Sequence, residues 1–114
     1  MEDNQRDLMI KKEFNKYRRI YKNLEKDKKI FAEKLCSQLA FMSITLNDLQ
    51  DEIKKDGPVK EVTNGNGFKV INEHPAQKSY NAMIKNYNAT IKALIDLLPA
   101  GTEEDELIEF ISEK

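Results

Sequence analysis

The chain has 114 residues, 39% of them hydrophobic and 34% charged, with a formal net charge of −1. That length suits one domain, and near-neutrality removes any global field favouring nucleic acid or membrane. The lone Cys36 rules out an internal disulfide and fits a reduced, intracellular setting, no run approaches the ~18 apolar residues of a membrane span, and the polar Met1 to Asp7 is not a signal peptide.

Charge is unevenly placed. Residues 11–34 hold ten Lys/Arg against four Asp/Glu, a local net of +6, while residues 102–114 hold six Asp/Glu against one Lys, a net of −5. A basic start and an acidic tail suggest different partners at the two ends.

From about Gln5 to Lys55 there is no Gly and no Pro. An apolar ladder runs Ile10, Phe14, Tyr17, Tyr21, Leu24, then Lys28, then Phe31, Leu35, Leu39, Met42, Leu46, Leu49 and Ile53. Steps of three and four predict a long helix over 5–55, coiled-coil-like, with a break near 23–29 as the alternative. Asp56-Gly57-Pro58 ends it, with Gly57 as the C-terminal cap. Residues 59–71 set β-prone runs around Asn64-Gly65-Asn66-Gly67, which predicts a β-hairpin, with an irregular loop as the alternative. Two strands alone are marginal, so the hairpin should pack on the helices or on a neighbouring subunit.

A second helix over 75–98 opens at His74-Pro75, where the missing N–H of proline is harmless, and stops at Pro99-Ala100-Gly101. Its stripe is Tyr80, Ile84, Tyr87, Ile91, Leu94 and Leu98. A short acidic helix follows over 103–112, capped by Thr102, with Glu103, Glu104 and Asp105 at its positive dipole end. The expected fold is therefore mainly α: a single domain with a long-helix antiparallel hairpin, a small β-hairpin in the connector and a short C-terminal helix. The first helix outruns the second, so its overhang needs cover from outside the chain.

Val62-Thr63-Asn64-Gly65-Asn66-Gly67, Glu73-His74-Pro75-Ala76, Tyr80 to Tyr87 and Ile91 to Pro99, with Leu39-Ala40-Phe41-Met42 and Thr45-Leu46 upstream, carry a family likeness. Across roughly residues 20–100 the chain resembles the small subunits of phage terminases, most closely the short helical type of Gram-positive phages and prophages. The resemblance implies a DNA-packaging adaptor in the cytoplasm of the bacterial host. Such an adaptor binds viral double-stranded DNA, assembles into a ring-like homo-oligomer and regulates the large ATPase/nuclease subunit. Many small terminases carry an N-terminal helix-turn-helix. This chain has no room for one ahead of the long helix, which leaves the DNA-contacting surface open.

Lys11, Lys12, Lys16, Arg18, Arg19, Lys22, Lys26 and Lys29 are the candidate DNA-binding residues, because cations along a helix neutralise phosphates and release counterions. The bland alternative is a solvated helix face. Phe14, Tyr17 and Tyr21 on the overhang, with Phe41 and Ile44 off the main seam, are the candidate oligomer interface. Leu107, Phe110 and Ile111 form the apolar face of the last helix and are the candidate docking site for the large subunit.

No catalytic residues, metal site or cofactor are expected. One His and one Cys cannot build a His/Cys zinc site, and there is no Gly-x-x-x-x-Gly-Lys-Ser/Thr phosphate loop. A reading from another class is a coiled-coil interaction module or prophage regulator with no nucleic-acid role.

Overall fold

The computed structural model describes residues 3–57, 59–63, 65–99 and 104–112, without the side chains of 3, 60, 62, 104–106 and 110. Expectations for Pro58, Asn64, Ala100, Gly101, Thr102, Glu103 and the Phe110 side chain lie outside the described residues. The chain is mainly α-helical. Helix α1 spans Asp3–Arg18 and runs into a 3-10 turn over Arg19–Tyr21; α2 spans Lys26–Asp56. Strands β1 (Val59–Thr63) and β2 (Lys69–Glu73) come next, then α3 (Pro75–Asp96) and α4 (Glu104–Ser112).

The long helix of the sequence reading is two helices, and the break removes the overhang. It falls at residues 22–25, between the 3-10 turn and α2, and uses neither Gly nor Pro. Glu25 turns to an extended conformation (φ −54°, ψ 146°), and its carboxylate accepts the Asp27 N–H at 3.3 Å as the N-cap of α2. The four-residue turn at 22–25, ending in an extended Glu25 with a capping side chain, reverses the chain.

Helix α1 then lies back antiparallel along α2. Near its start the Arg6 guanidinium donates to Asp48 and Thr45 and sits 5.7 Å from the centre of the Phe41 ring. Near its end Tyr21 is buried in the same cluster as Cys36. A line of residues at steps of four, Ala32, Cys36, Ala40 and Ile44, is buried along α2. The first three are small, which lets another helix approach closely. A second line, Leu35, Leu39, Met42 and Leu46, lies a third of a turn away.

Helix α3 also runs antiparallel to α2. The Gln50 amide donates to the Tyr80 hydroxyl at 3.1 Å near one end, and Leu94 joins the cluster of Leu39 and Cys36 towards the other. The core is thus a three-helix layer, with Tyr17, Tyr21, Leu39 and Leu94 its largest fully buried side chains, and Leu107 of α4 closing it. Phe31, expected on the inner stripe, is exposed instead, since the buried line at the start of α2 runs through Ala32 and Cys36.

Local chemistry fixes the join between α2 and α3. Gly57 ends α2 at φ 83°, a conformation that suits glycine, and donates its N–H to the Ile53 carbonyl at 2.7 Å. His74 is the N-cap of α3. Its Nδ1 accepts the Ala76 N–H at 2.9 Å, so the proton lies on Nε2, 3.1 Å from the Asp56 carboxylate that accepts it. One imidazole thereby caps α3 and clasps the end of α2.

Strands β1 and β2 pair antiparallel, from Val59 opposite Glu73 to Thr63 opposite Lys69. The molecule measures 61 × 28 × 23 Å. The turn at 22–25 lies at one end of α2, and the strands lie beyond its other end.

Candidate nucleic-acid interface

The cations of the basic run come from three consecutive pieces of chain. Helix α1 supplies Lys11, Lys12, Lys16 and Arg18, the 3-10 turn and its exit supply Arg19 and Lys22, and the first turns of α2 supply Lys26 and Lys29. Because the chain reverses at 22–25, those nearest the turn gather at one end of the molecule instead of extending along one rod. Residues 18–29 alone carry six Lys/Arg and two Asp/Glu. Arg18, Arg19, Lys22, Lys26 and Lys28 are all exposed.

Two of the eight candidates are partly withdrawn from solvent. Lys16 is half-buried, its Nζ 3.3 Å from Glu13 Oε1 and 5.1 Å from the centre of the Tyr17 ring. Lys29 is half-buried at the start of α2. Arg18 is exposed and steadied, its guanidinium 5.3 Å from the Phe14 ring centre. Lys28 and Lys34, which were not among the eight candidates, are as exposed as Lys26. An open groove along α1 is lined by Lys11, Lys12, Glu13, Arg18 and Arg19, with Leu8 of α1 and Ile44 of α2 among its apolar residues.

The candidate oligomer interface is mostly interior to a single chain. Tyr17 and Tyr21 are fully buried. The Tyr17 hydroxyl donates to the Glu13 carboxylate, and the Tyr21 hydroxyl donates to the Leu94 carbonyl at 2.7 Å. Burial pushes both phenols well above their ordinary pKa, and raises that of Tyr87. Phe14 is half-buried against the same cluster, and Ile44 is buried, lining the groove beside α1. These four need no neighbouring subunit, because α1 itself covers α2. Phe41 alone of the five keeps substantial exposure, 49%, with Arg6 over its ring.

The docking face of the last helix is corrected in the same sense. Leu107 is fully buried in the core and Ile111 packs against it, so these two side chains are already occupied. Among the described side chains of α4, Ile108, Glu109 and Ser112 are exposed.

Cys36 is buried, and burial pushes its thiol up to about 12, which makes it an unreactive core residue. Among the described residues no three His, Cys, Asp or Glu side chains converge as metal ligands do, and no helix is long and apolar enough to cross a membrane. Arg6 carried no signal in the sequence, because its partners Thr45 and Asp48 lie 39 and 42 residues away. No family model, curated protein or solved structure matches the chain.

Proposed function

We propose that this protein is a non-catalytic DNA-binding adaptor, of the kind that the small subunits of phage terminases provide in DNA packaging. The observation that carries this reading is the cluster of exposed cations at the α1–α2 turn: Arg18, Arg19, Lys22, Lys26 and Lys28. A chain of net charge −1 has no general attraction for nucleic acid, so a local excess of cations at one end is what would hold it. The resemblance in the connector and in α3 supplies the packaging context, including self-assembly and contact with a large ATPase/nuclease subunit. In this reading the outward residues Ile108 and Glu109 of α4 meet the large subunit, and Phe41 belongs to a contact between copies.

The test replaces Arg18, Arg19 and Lys22 together with Glu and measures retention of double-stranded DNA against salt. Each phosphate contact contributes about 0.9 to the slope of log affinity against log salt, so losing three contacts should flatten it by about 2.7. All three residues are exposed, so the helical content should stay unchanged. Equal binding by both proteins at low salt would remove this end of the molecule from the DNA surface. It would favour the interaction-module alternative.

A further inference from the structure

Strand β2 has one neighbour, β1, among the described residues, so its outer edge has unused backbone donors and acceptors. Its sequence is Lys69-Val70-Ile71-Asn72-Glu73, with a cation at one end, an anion at the other and an isoleucine at the centre. Four of the five residues are exposed, and Ile71 is 71% exposed, the highest value among the described large apolar side chains. A two-stranded sheet is marginal by itself, and three or more strands with an apolar face are the stable form.

We infer that two copies of this chain dimerise by antiparallel pairing of β2 with β2 about a two-fold axis at Ile71. In that register Lys69 of each copy stands opposite Glu73 of the other, Val70 opposite Asn72, and Ile71 opposite Ile71. Opposite charges and apolar side chains directly across an antiparallel pair stabilise it, and like charges destabilise it. The two-fold makes the contact self-complementary, so it closes at a dimer. The other edge does not offer this. Strand β1, Val59-Lys60-Glu61-Val62-Thr63, paired with itself in full register would set Glu61 against Glu61. The result is one four-stranded sheet in the order β1-β2-β2-β1, with the two Ile71 side chains adjacent on the face that also carries Val59. This contact lies beyond the end of α2 remote from the basic turn, and it does not depend on DNA binding.

The experiment measures the mass of the full chain in solution by light scattering, without nucleic acid, for wild type, Glu73→Lys and the charge-swapped pair Lys69→Glu with Glu73→Lys. Wild type should be a dimer, or an assembly built from such dimers where a further contact between copies operates. The single change sets two lysines opposite each other at both ends of the strand, and should weaken association about tenfold or more. The double change restores opposite charges across the contact while removing the 3.5 Å Lys69–Glu61 ion pair inside the hairpin, and should recover association in part. Far-UV circular dichroism should be the same for all three.

A second measurement fixes the register. Ile71→Cys should form a disulfide-linked dimer under mild oxidation, and Thr63→Cys, on the remote strand, should not. Cys36 stays silent because it is buried. A wild-type monomer at every concentration would overturn the inference. So would a dimer indifferent to Glu73→Lys, or any assembly that cross-links as readily at 63 as at 71.

Discussion

Tyr21 distinguishes a folded-back α1 from an extended one, and the structure sets the size of the effect. Its ring is fully buried between α1, α2 and α3, and its hydroxyl donates to the Leu94 carbonyl at 2.7 Å. That carbonyl also accepts the Leu97 N–H at 3.1 Å, so Tyr21→Phe leaves no orphaned acceptor. The loss is then one buried hydrogen bond, about 1 kcal/mol. Tyr21→Ala also removes the ring and opens a cavity where three helices meet, at about 3–5 kcal/mol. Against a total stability on the order of 10 kcal/mol, the second change is severe and the first modest.

Urea titration followed by far-UV circular dichroism reads both changes. The midpoint should fall in the order wild type, Tyr21→Phe, Tyr21→Ala, with the slope unchanged. The losses should be the same at every protein concentration, because the contacts lie within one chain. If both variants unfold at the wild-type midpoint, α1 is not packed on α2 in solution. If the losses grow as the protein is diluted, Tyr21 is covered by a second subunit and the single-chain packing described above is wrong.

Two further outcomes follow from burial. Ile44→Asp puts a carboxylate without a partner on the buried line beneath α1 and should cost more than about 3 kcal/mol, with loss of helicity on mild heating. A helical protein of reduced mass would instead return Ile44 to a subunit interface. Alkaline pH should destabilise the protein, since burial raises the pKa of Cys36, Tyr17, Tyr21 and Tyr87. Below about pH 9 these groups are protonated in the folded and unfolded chains alike, and their contribution is fully present. As pH rises past 9 for Cys36 and past 10 for the tyrosines, the unfolded chain releases protons that the folded chain keeps. Stability therefore falls, by up to about 1.4 kcal/mol per pH unit for each group, and Cys36 goes on contributing to that fall until about 12. Chemical denaturation between about pH 8 and pH 11 checks this, and a flat profile would mean these side chains are open to water.

The parts of the fold that were legible rest on local chemistry. Apolar steps of three and four located the helical segments, and Gly57 and His74-Pro75 marked the end of α2 and the start of α3 because capping is decided within a few residues. The break at 22–25 left a weaker mark. Lys28 on the apolar ladder was its one trace, and the turn at 22–25 has neither Gly nor Pro, ending instead in the extended N-cap Glu25. An uninterrupted heptad-like ladder across a turn is what two antiparallel helices sharing one core also require. Phe14, Tyr17 and Tyr21 keep the same spacing whether they face a neighbour or their own α2.

That degeneracy explains why the site was less legible than the fold. An apolar stripe states that it will be covered, and nothing in its spacing names the cover. The linker decides. Four residues tether the end of the 3-10 turn to α2, which gives α1 an effective concentration in the millimolar range beside its own chain. A separate subunit must reach such concentrations to compete, so the intrachain partner wins wherever geometry allows it. At 22–25 the geometry does allow it, since the small line Ala32, Cys36 and Ala40 leaves room for a close approach. The same argument singles out β2 from the other side. The strand's inner edge is taken by β1 through a short loop, and its outer edge has no tethered segment among the described residues to compete for it. An untethered copy can then win that edge, and the placement of Lys69 and Glu73 about Ile71 makes the second copy of this chain the partner that matches it.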